Sequence, residues 1–309
     1  MRQTASIKVA IAGTGNVAQY LIEELKAYGH DITVLTQSKK PDEKRFEQRE
    51  TDYSVPSLVA VLKDCDALVS TIADHQNPSV ALKVHLDMLE ACRQSEKCKA
   101  FIPSEWTLDV EEYPEQPMYM TDINKVLHQR LKEETTIKWT IICNSWFAGY
   151  VLPKQHRYLR DVDPIWPMDF TNKVFTIYGP GTQLVDTTSV RDVAKAVAVL
   201  IDSKEPWEQY TFLSGDQLSW NDMFAIIKKR DPEWASHKKP LADTINQITA
   251  NESPMSVLAA QFEIESYAGA LTFPKEKVQS QRAKYFQGMH FRTVEEILDA
   301  AAAQPDAII

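Results

Sequence analysis

The stretch VAIAGTGNVAQYLIEEL, Val9 to Leu25, decides the fold. It reads as an apolar run, a glycine turn and an amphipathic helix. Ile7 to Ala12 is apolar but for Lys8, which suits a strand buried on both faces of a parallel sheet. Ala18, Leu21, Ile22, Leu25 and Tyr28 recur at helical spacing, and Gly29 stands where a helix ends in a left-handed residue. Between strand and helix lie Gly13, Thr14, Gly15, Asn16 and Val17. The dinucleotide-binding pattern is G-x-G-x-x-G, and here its third place is Ala18, where helix and strand pack closely. Unpaired N–H groups and the positive end of the helix dipole draw a pyrophosphate to such a turn. Two glycines alone suit a plain turn equally well. The strand before them and the helix after them favour the phosphate cradle.

Outward from this unit the alternation continues. Ile32–Leu35 is a second strand, Pro56 opens a helix to Lys63, and Ala67–Ile72 is a buried strand. Asn77-Pro78 reads as cap and first residue of a helix through Cys92. Lys99–Ile102 is a strand, Thr121–Glu134 a helix and Lys138–Cys143 a strand. Strand–helix alternation of this kind predicts an α/β fold, a doubly wound parallel sheet with ligands at the carboxyl ends of its strands. After Tyr150 the pattern weakens, and Pro153, Pro164 and Pro167 interrupt it. Lys173–Tyr178 and Leu184–Thr187 read as strands around Gly179-Pro180-Gly181, Val190–Ile201 as an apolar helix, and Thr293–Glu296 as a capping box. The expected organisation is a dinucleotide-binding domain over residues 1–150, with 184–203 packing back onto it. A smaller α+β substrate region then covers 151–309.

Composition bounds the partners. The chain has 309 residues, 44% hydrophobic and 25% charged, with a formal net charge of -9. That charge disfavours nucleic acid and anionic membranes. No apolar run reaches the length of a membrane span and no signal segment opens the chain, so the expected compartment is the cytoplasm. Cys65, Cys92, Cys98 and Cys143 lack metal or C-x-x-C spacing and read as free thiols. No metal site is expected.

The end of the second strand, Thr36-Gln37-Ser38-Lys39-Lys40, has no acid to bind ribose hydroxyls, and its lysines and hydroxyls suit a 2′-phosphate. The expected cofactor is therefore NADPH. FIPSEW (101–106), DYSVPSLVAVLKDCDALVSTIA (52–73) and NSWFAGY (144–150) follow in order, and together they resemble the NmrA-like and isoflavone-reductase-like branch of atypical short-chain dehydrogenases. The resemblance covers the first half well and the rest loosely. It implies a Rossmann-type domain with a smaller substrate domain over the cofactor. It implies that Gly13–Val17 hold phosphates, that Thr36–Lys40 lie by the 2′-phosphate and that Asp52 and Tyr53 lie near the adenine. It further implies that Thr71, Ile72, Ala73, Pro103, Ser104 and Glu105 line the nicotinamide half, with Asn144 in the cofactor site. Alignment to the family motif puts Lys125 at the position of a catalytic lysine, which would supply a proton or stabilise developing negative charge. Three departures stand out: Thr121 replaces the tyrosine of Tyr-x-x-x-Lys, Ala12 and Ala18 replace flanking glycines, and Gln37 stands where relatives often carry Arg.

Trp106, Trp146, Phe147 and Tyr150 are expected to form an apolar substrate pocket, with Tyr113, Tyr119 and Trp166 nearby. His75, after the fourth strand, is a weaker candidate for proton transfer, His85 reads as structural, and His156, at the entry to the second region, is a weaker candidate to face substrate. The expected activity is NADPH-dependent hydride transfer to a small aromatic or enone/carbonyl metabolite of secondary metabolism. Two other readings stay open: an NADP(H)-sensing regulator with a protein partner, and a non-redox isomerase or cyclase.

Overall fold

The computed structural model describes residues 6–74 and 77–309, so His75 lies outside the described residues. A six-stranded sheet carries the first half. Its elements are β1 (Lys8–Ala12), α1 (Asn16–Tyr28), β2 (Asp31–Thr36), β3 (Glu47–Glu50), α2 (Val55–Leu62), β4 (Ala67–Ser70), α3 (Pro78–Gln94), β5 (Ala100–Ile102), α4 (Thr121–Lys132) and β6 (Lys138–Trp139). The strand order is β3-β2-β1-β4-β5-β6, parallel throughout. The order reverses between β1 and β4, which opens a crevice at their carboxyl ends. Alternation along β1 divides the core. Val9 and Ile11 pack with α1, whereas Ala10 and Ala12 join Leu58, Leu62, Met88 and Leu89 of α2 and α3.

The chain continues through β7 (Ile141–Cys143), β8 (Trp146–Phe147), β9 (Met168–Asp169), β10 (Val174–Tyr178), β11 (Leu184–Thr188) and α5 (Val190–Asp202). Then come β12 (Tyr210–Phe212), β13 (Asp216–Ser219), α6 (Trp220–Arg230), β14 (Ala235–Lys239), α7 (Leu241–Ala250), α8 (Pro254–Ala268), α9 (Lys275–Tyr285) and α10 (Val294–Ala303). Three small sheets, β14-β10-β9, β13-β11-β8 and β12-β7, complete the second half. α5 returns to pack on α1, sharing the core of Val9, Ile11, Leu21 and Leu25.

Several local expectations need correction. Lys138–Cys143 is not one strand: Lys138 and Trp139 extend the large sheet, while Ile141–Cys143 pair with β12. The break falls at buried Thr140, whose hydroxyl meets that of Thr211 at 2.8 Å. β3, with sequence EQRE, carries no apolar signal and is an unforeseen edge strand. Asn77 does not cap α3 with its side chain, and Tyr28, assigned to the buried face of α1, is exposed. Gly29 does end α1 in the left-handed region, at φ 110°, and the Thr293–Glu296 capping box is formed.

Candidate functional site

The glycine turn leaves the carboxyl end of β1. Gly13 sits at φ 101°, and its N–H donates to Leu35 O at 3.0 Å. A Cβ there would lie 2.7 Å from Thr71 Oγ1, so both conformation and space require glycine. Thr71 in turn donates from its N–H and its hydroxyl to Ala12 O, at 2.9 and 2.8 Å. Gly15 is the N-cap of α1. It offers no side-chain cap, the first turn holds no acid, and a Cβ on Gly15 would meet nothing within 4 Å. The N-terminus of α1 thus keeps unpaired N–H groups facing open space, and Ala18 is fully buried against the sheet. This arrangement fits a dinucleotide pyrophosphate. Asn16 is tied in the orientation that lets its amide donate to Tyr158 O and accept from Arg160 N, each at 3.1 Å.

The adenosine end is mixed. Gln37, Ser38, Lys39 and Lys40 are exposed beyond β2, and the Thr36 hydroxyl donates to Ser38 O at 2.9 Å. The unforeseen β3 sets exposed Glu50 in register with Thr36, so an acid does stand beside the end of β2, supplied by the neighbouring strand. Asp52 is exposed and accepts from the N–H and hydroxyl of Ser54 at 2.9 and 2.7 Å. Tyr53 departs from expectation. Its ring is buried and its hydroxyl donates to Leu35 O at 2.9 Å, beneath the glycine turn, with burial pushing its pKa up to about 12. It braces the turn and presents no face to an adenine.

Past Thr71 the chain enters the wall of a cavity of about 270 Å³. Of the expected residues, Ile72, Ala73, Ser104, Glu105, Trp106, Trp146, Phe147 and Tyr150 line it. Pro103, Asn144 and Lys125 are not in the wall. Asn144 is buried behind it, donating to Ser145 O at 2.7 Å and taking the Thr188 hydroxyl on its own carbonyl at 2.9 Å. Lys125 is exposed on α4. Met120, Ile123, Asn124 and Leu127 recur at helical spacing and face the cavity, and Lys125 falls one position off that stripe. The catalytic-lysine assignment therefore does not match the geometry, and Asn124 is the polar group α4 turns inward.

Tyr119, expected near the pocket, is in the wall, whereas the share supplied by α8 carries no sequence signal. α8 contributes Leu258, Phe262 and Glu265, and Tyr119 closes another side. Trp146 lies 6.2 Å from Tyr150 and 6.0 Å from Phe262, ring centre to ring centre, and Tyr119 lies 5.8 Å from Phe262. Trp166 packs behind Trp146 at 5.2 Å and stays out of the wall, as does Tyr113. The Trp106 indole N–H donates to Ser70 O at 3.2 Å. His85 is structural: Nδ1 meets Ala81 O at 2.7 Å and Nε2 accepts from Ser104 N–H at 3.1 Å. Burial lowers its pKa, so the ring is a neutral brace for the Ser104 loop. Glu105 lies 2.7 Å from His128 Nε2 in a buried pair. Burial without a cationic partner raises the Glu265 carboxyl well above the usual carboxylate range. His156 is remote, its Nδ1 bound to Ala307 O at 3.0 Å. The four cysteines are free and buried. Among the described residues no group of three His, Cys, Asp or Glu side chains is placed to hold a metal, and no helix is long and apolar enough to cross a membrane.

The chain resembles known proteins over nearly its whole length. A model of the NmrA-like family matches residues 4–298. The chain is 37% identical over 307 residues to the oxidoreductase swnR of Arthroderma benhamiae, covering 98% of this chain and 100% of the relative. It is 34% identical over 307 residues to the oxidoreductase swnR of Metarhizium robertsii, with the same coverage. Among solved structures, the complex of leucoanthocyanidin reductase with NADPH from Vitis vinifera superposes with a TM-score of 0.72 at 21% identity. That match covers 96% of this chain and 100% of the other, a likeness of fold. The family match spans nearly the whole sequence and includes the glycine turn, the parallel sheet and the cavity wall alike: the chain belongs to the NmrA-like family.

Proposed function

We propose that the protein is an NADPH-dependent reductase that delivers hydride to an unsaturated carbon of a small, ring-bearing metabolite, in secondary metabolism. One observation carries this reading. Thr71 closes on the glycine turn, and the next residues, Ile72 and Ala73, form the wall of an aromatic cavity. A dinucleotide whose pyrophosphate rests on the N–H groups of Gly15, Asn16 and Val17 would reach that wall with its other end. The dihydronicotinamide supplies the hydride when bound. Ser104, braced by His85, and Trp106, anchored on Ser70, would fix the ring half, while Trp146, Phe147 and Tyr150 exclude water and orient the acceptor. The names of the swnR relatives support an oxidoreductase. The exposed pair Lys39 and Lys40 supports a 2′-phosphate, with Glu50 the residue that opposes it.

The test is a titration of the purified protein with NADPH and with NADH, followed by incubation with a panel of ketones, enones and imines. NADPH should bind more tightly than NADH and be consumed with one acceptor class, giving a product heavier by two hydrogens. Equal or tighter NADH binding would remove the cofactor preference. The outward position of Lys125 favours a second reading, a dinucleotide-sensing regulator. Tight NADPH binding, no consumption with any acceptor and capture of a protein partner in one redox state would favour that reading.

A further inference from the structure

The cavity has an unusual charge inventory. Among its described lining residues, the ionisable ones are Asp74, His85, Glu105, Tyr119, Tyr150 and Glu265, and none is Lys or Arg. His85 has both ring nitrogens engaged with backbone. The Glu105 side chain is 6% exposed; one oxygen meets His128, and the other, Oε1, is buried with no hydrogen-bond partner. Glu265 is 2% exposed, and its Oε1 is likewise buried without a partner. Buried carboxyl oxygens are normally satisfied, so two orphans in one wall call for a donor or a positive charge from a ligand. The surroundings agree. Tyr119, Phe262, Trp146 and Tyr150 follow one another in the same wall, ring centre to ring centre at 5.8, 6.0 and 6.2 Å, and aromatic rings attract a cation placed over their faces.

We propose that this cavity binds an organic cation, held by Glu105 and Glu265 beside the aromatic rings of the wall, and that the acceptor it reduces is an iminium. The chemistry matches the wall. The iminium carbon takes a hydride from the dihydronicotinamide, which becomes the oxidised pyridinium. The C=N π pair moves onto nitrogen and leaves a neutral amine. No proton is consumed, so the step needs no lysine in the wall, in keeping with the outward Lys125. The carboxyls stabilise positive charge before transfer on the substrate and after transfer on the nicotinamide.

The proposal rests on the reductase reading, and its test separates the two. Phenyltrimethylammonium and its uncharged isostere tert-butylbenzene are titrated into the NADP⁺-loaded protein, followed by tryptophan fluorescence. The cation should bind at least tenfold more tightly, Glu265→Gln and Glu105→Gln should each erase most of that preference, and in Glu265→Gln NADP⁺ affinity should stay within twofold. N-methyl-3,4-dihydroisoquinolinium and 1-tetralone are then offered with NADPH, and the iminium should be reduced at least tenfold faster. Equal binding of the two isosteres, an unchanged preference in both variants, or faster reduction of the ketone would overturn the cation site. Cation preference with no NADPH consumption on either acceptor would overturn the reductase reading, and the iminium step with it.

Discussion

Gly13 and Gly15 stand two residues apart and are glycine for different reasons. Gly13 has no room for a Cβ and sits at positive φ, so its role is in the fold. Gly15 has room and an extended backbone, so what it keeps clear is the space before α1. Gly15→Asp should therefore separate stability from binding. Asp is a good N-cap, and the apo protein should gain a few tenths of a kcal/mol, roughly, in a urea melt. Its carboxylate would stand where the pyrophosphate must sit, and NADPH affinity should fall at least tenfold, about 1.4 kcal/mol, by titration. Unchanged affinity would move the phosphates away from this turn. A second contrast concerns α4. Lys125→Ala should leave turnover within about twofold, because the side chain is outside the cavity, whereas Asn124→Ala should lower kcat/KM by roughly tenfold, the scale of one lost buried hydrogen bond. The reverse order would restore the lysine to the chemistry.

At the scale of elements, legibility followed hydrophobic periodicity. β1, α1, β4 and β5 bury apolar side chains in the pattern their sequences advertise. β3 does not. Its EQRE sequence forms a strand because the backbone pairs with β2 and its charges clasp the neighbours: Glu47 meets Lys8 at 2.9 Å, and Arg49 reaches Asp64 Oδ2 at 2.9 Å. α8 hides its role in the opposite way. It buries Glu263 and Glu265 and exposes Met255, so reading acids as solvent-facing conceals a cavity wall. Neither feature could be found by periodicity, since long-range pairing decides both. The Arg49 clasp makes a pH-dependent prediction. Hydrogen bonding to Arg49 holds the Asp64 carboxyl well below the usual carboxylate range. A depressed folded pKa gives stability that is present above the unfolded value, about 3.9, and lost as pH falls through the folded one. Arg49→Ala should lower Tm at pH 7 by about 1.5 °C, on the scale of about 1 kcal/mol, since Asp64 is 43% exposed and screened. That gap should narrow below about pH 4. A gap that stays constant into acid would assign the loss to packing alone.

At the scale of the molecule, the two halves are interleaved, and the sequence hints at this only in the apolar stretch that becomes α5. Pairing of β7 with β12 and packing of α5 on α1 put residues from both halves into each core. A latch then fixes the C-terminal segment. Asp192, on α5 and fully buried, accepts from Arg292 N–H at 2.9 Å and from its guanidinium Nε at 3.1 Å, and Arg292 Nη2 donates to Ser189 Oγ at 2.7 Å. The tail closes beside it, with Arg191 Nη2 donating to Ile308 O and Ile309 N–H donating to His156 O, each at 3.0 Å. Because α8 supplies part of the cavity wall, the site exists only when both halves are joined. This predicts one cooperative unfolding transition. Five of the seven tryptophans (Trp146, Trp166, Trp207, Trp220 and Trp234) lie in the second half, so fluorescence weights that half while far-UV circular dichroism reports all helices. In urea the two curves should coincide. Asp192→Asn leaves Arg292 without its countercharge and should lower stability by about 3 kcal/mol, moving both curves by the same amount. Separate midpoints, or a shift confined to fluorescence, would mean that the halves unfold independently and that the cavity can open without loss of the dinucleotide turn.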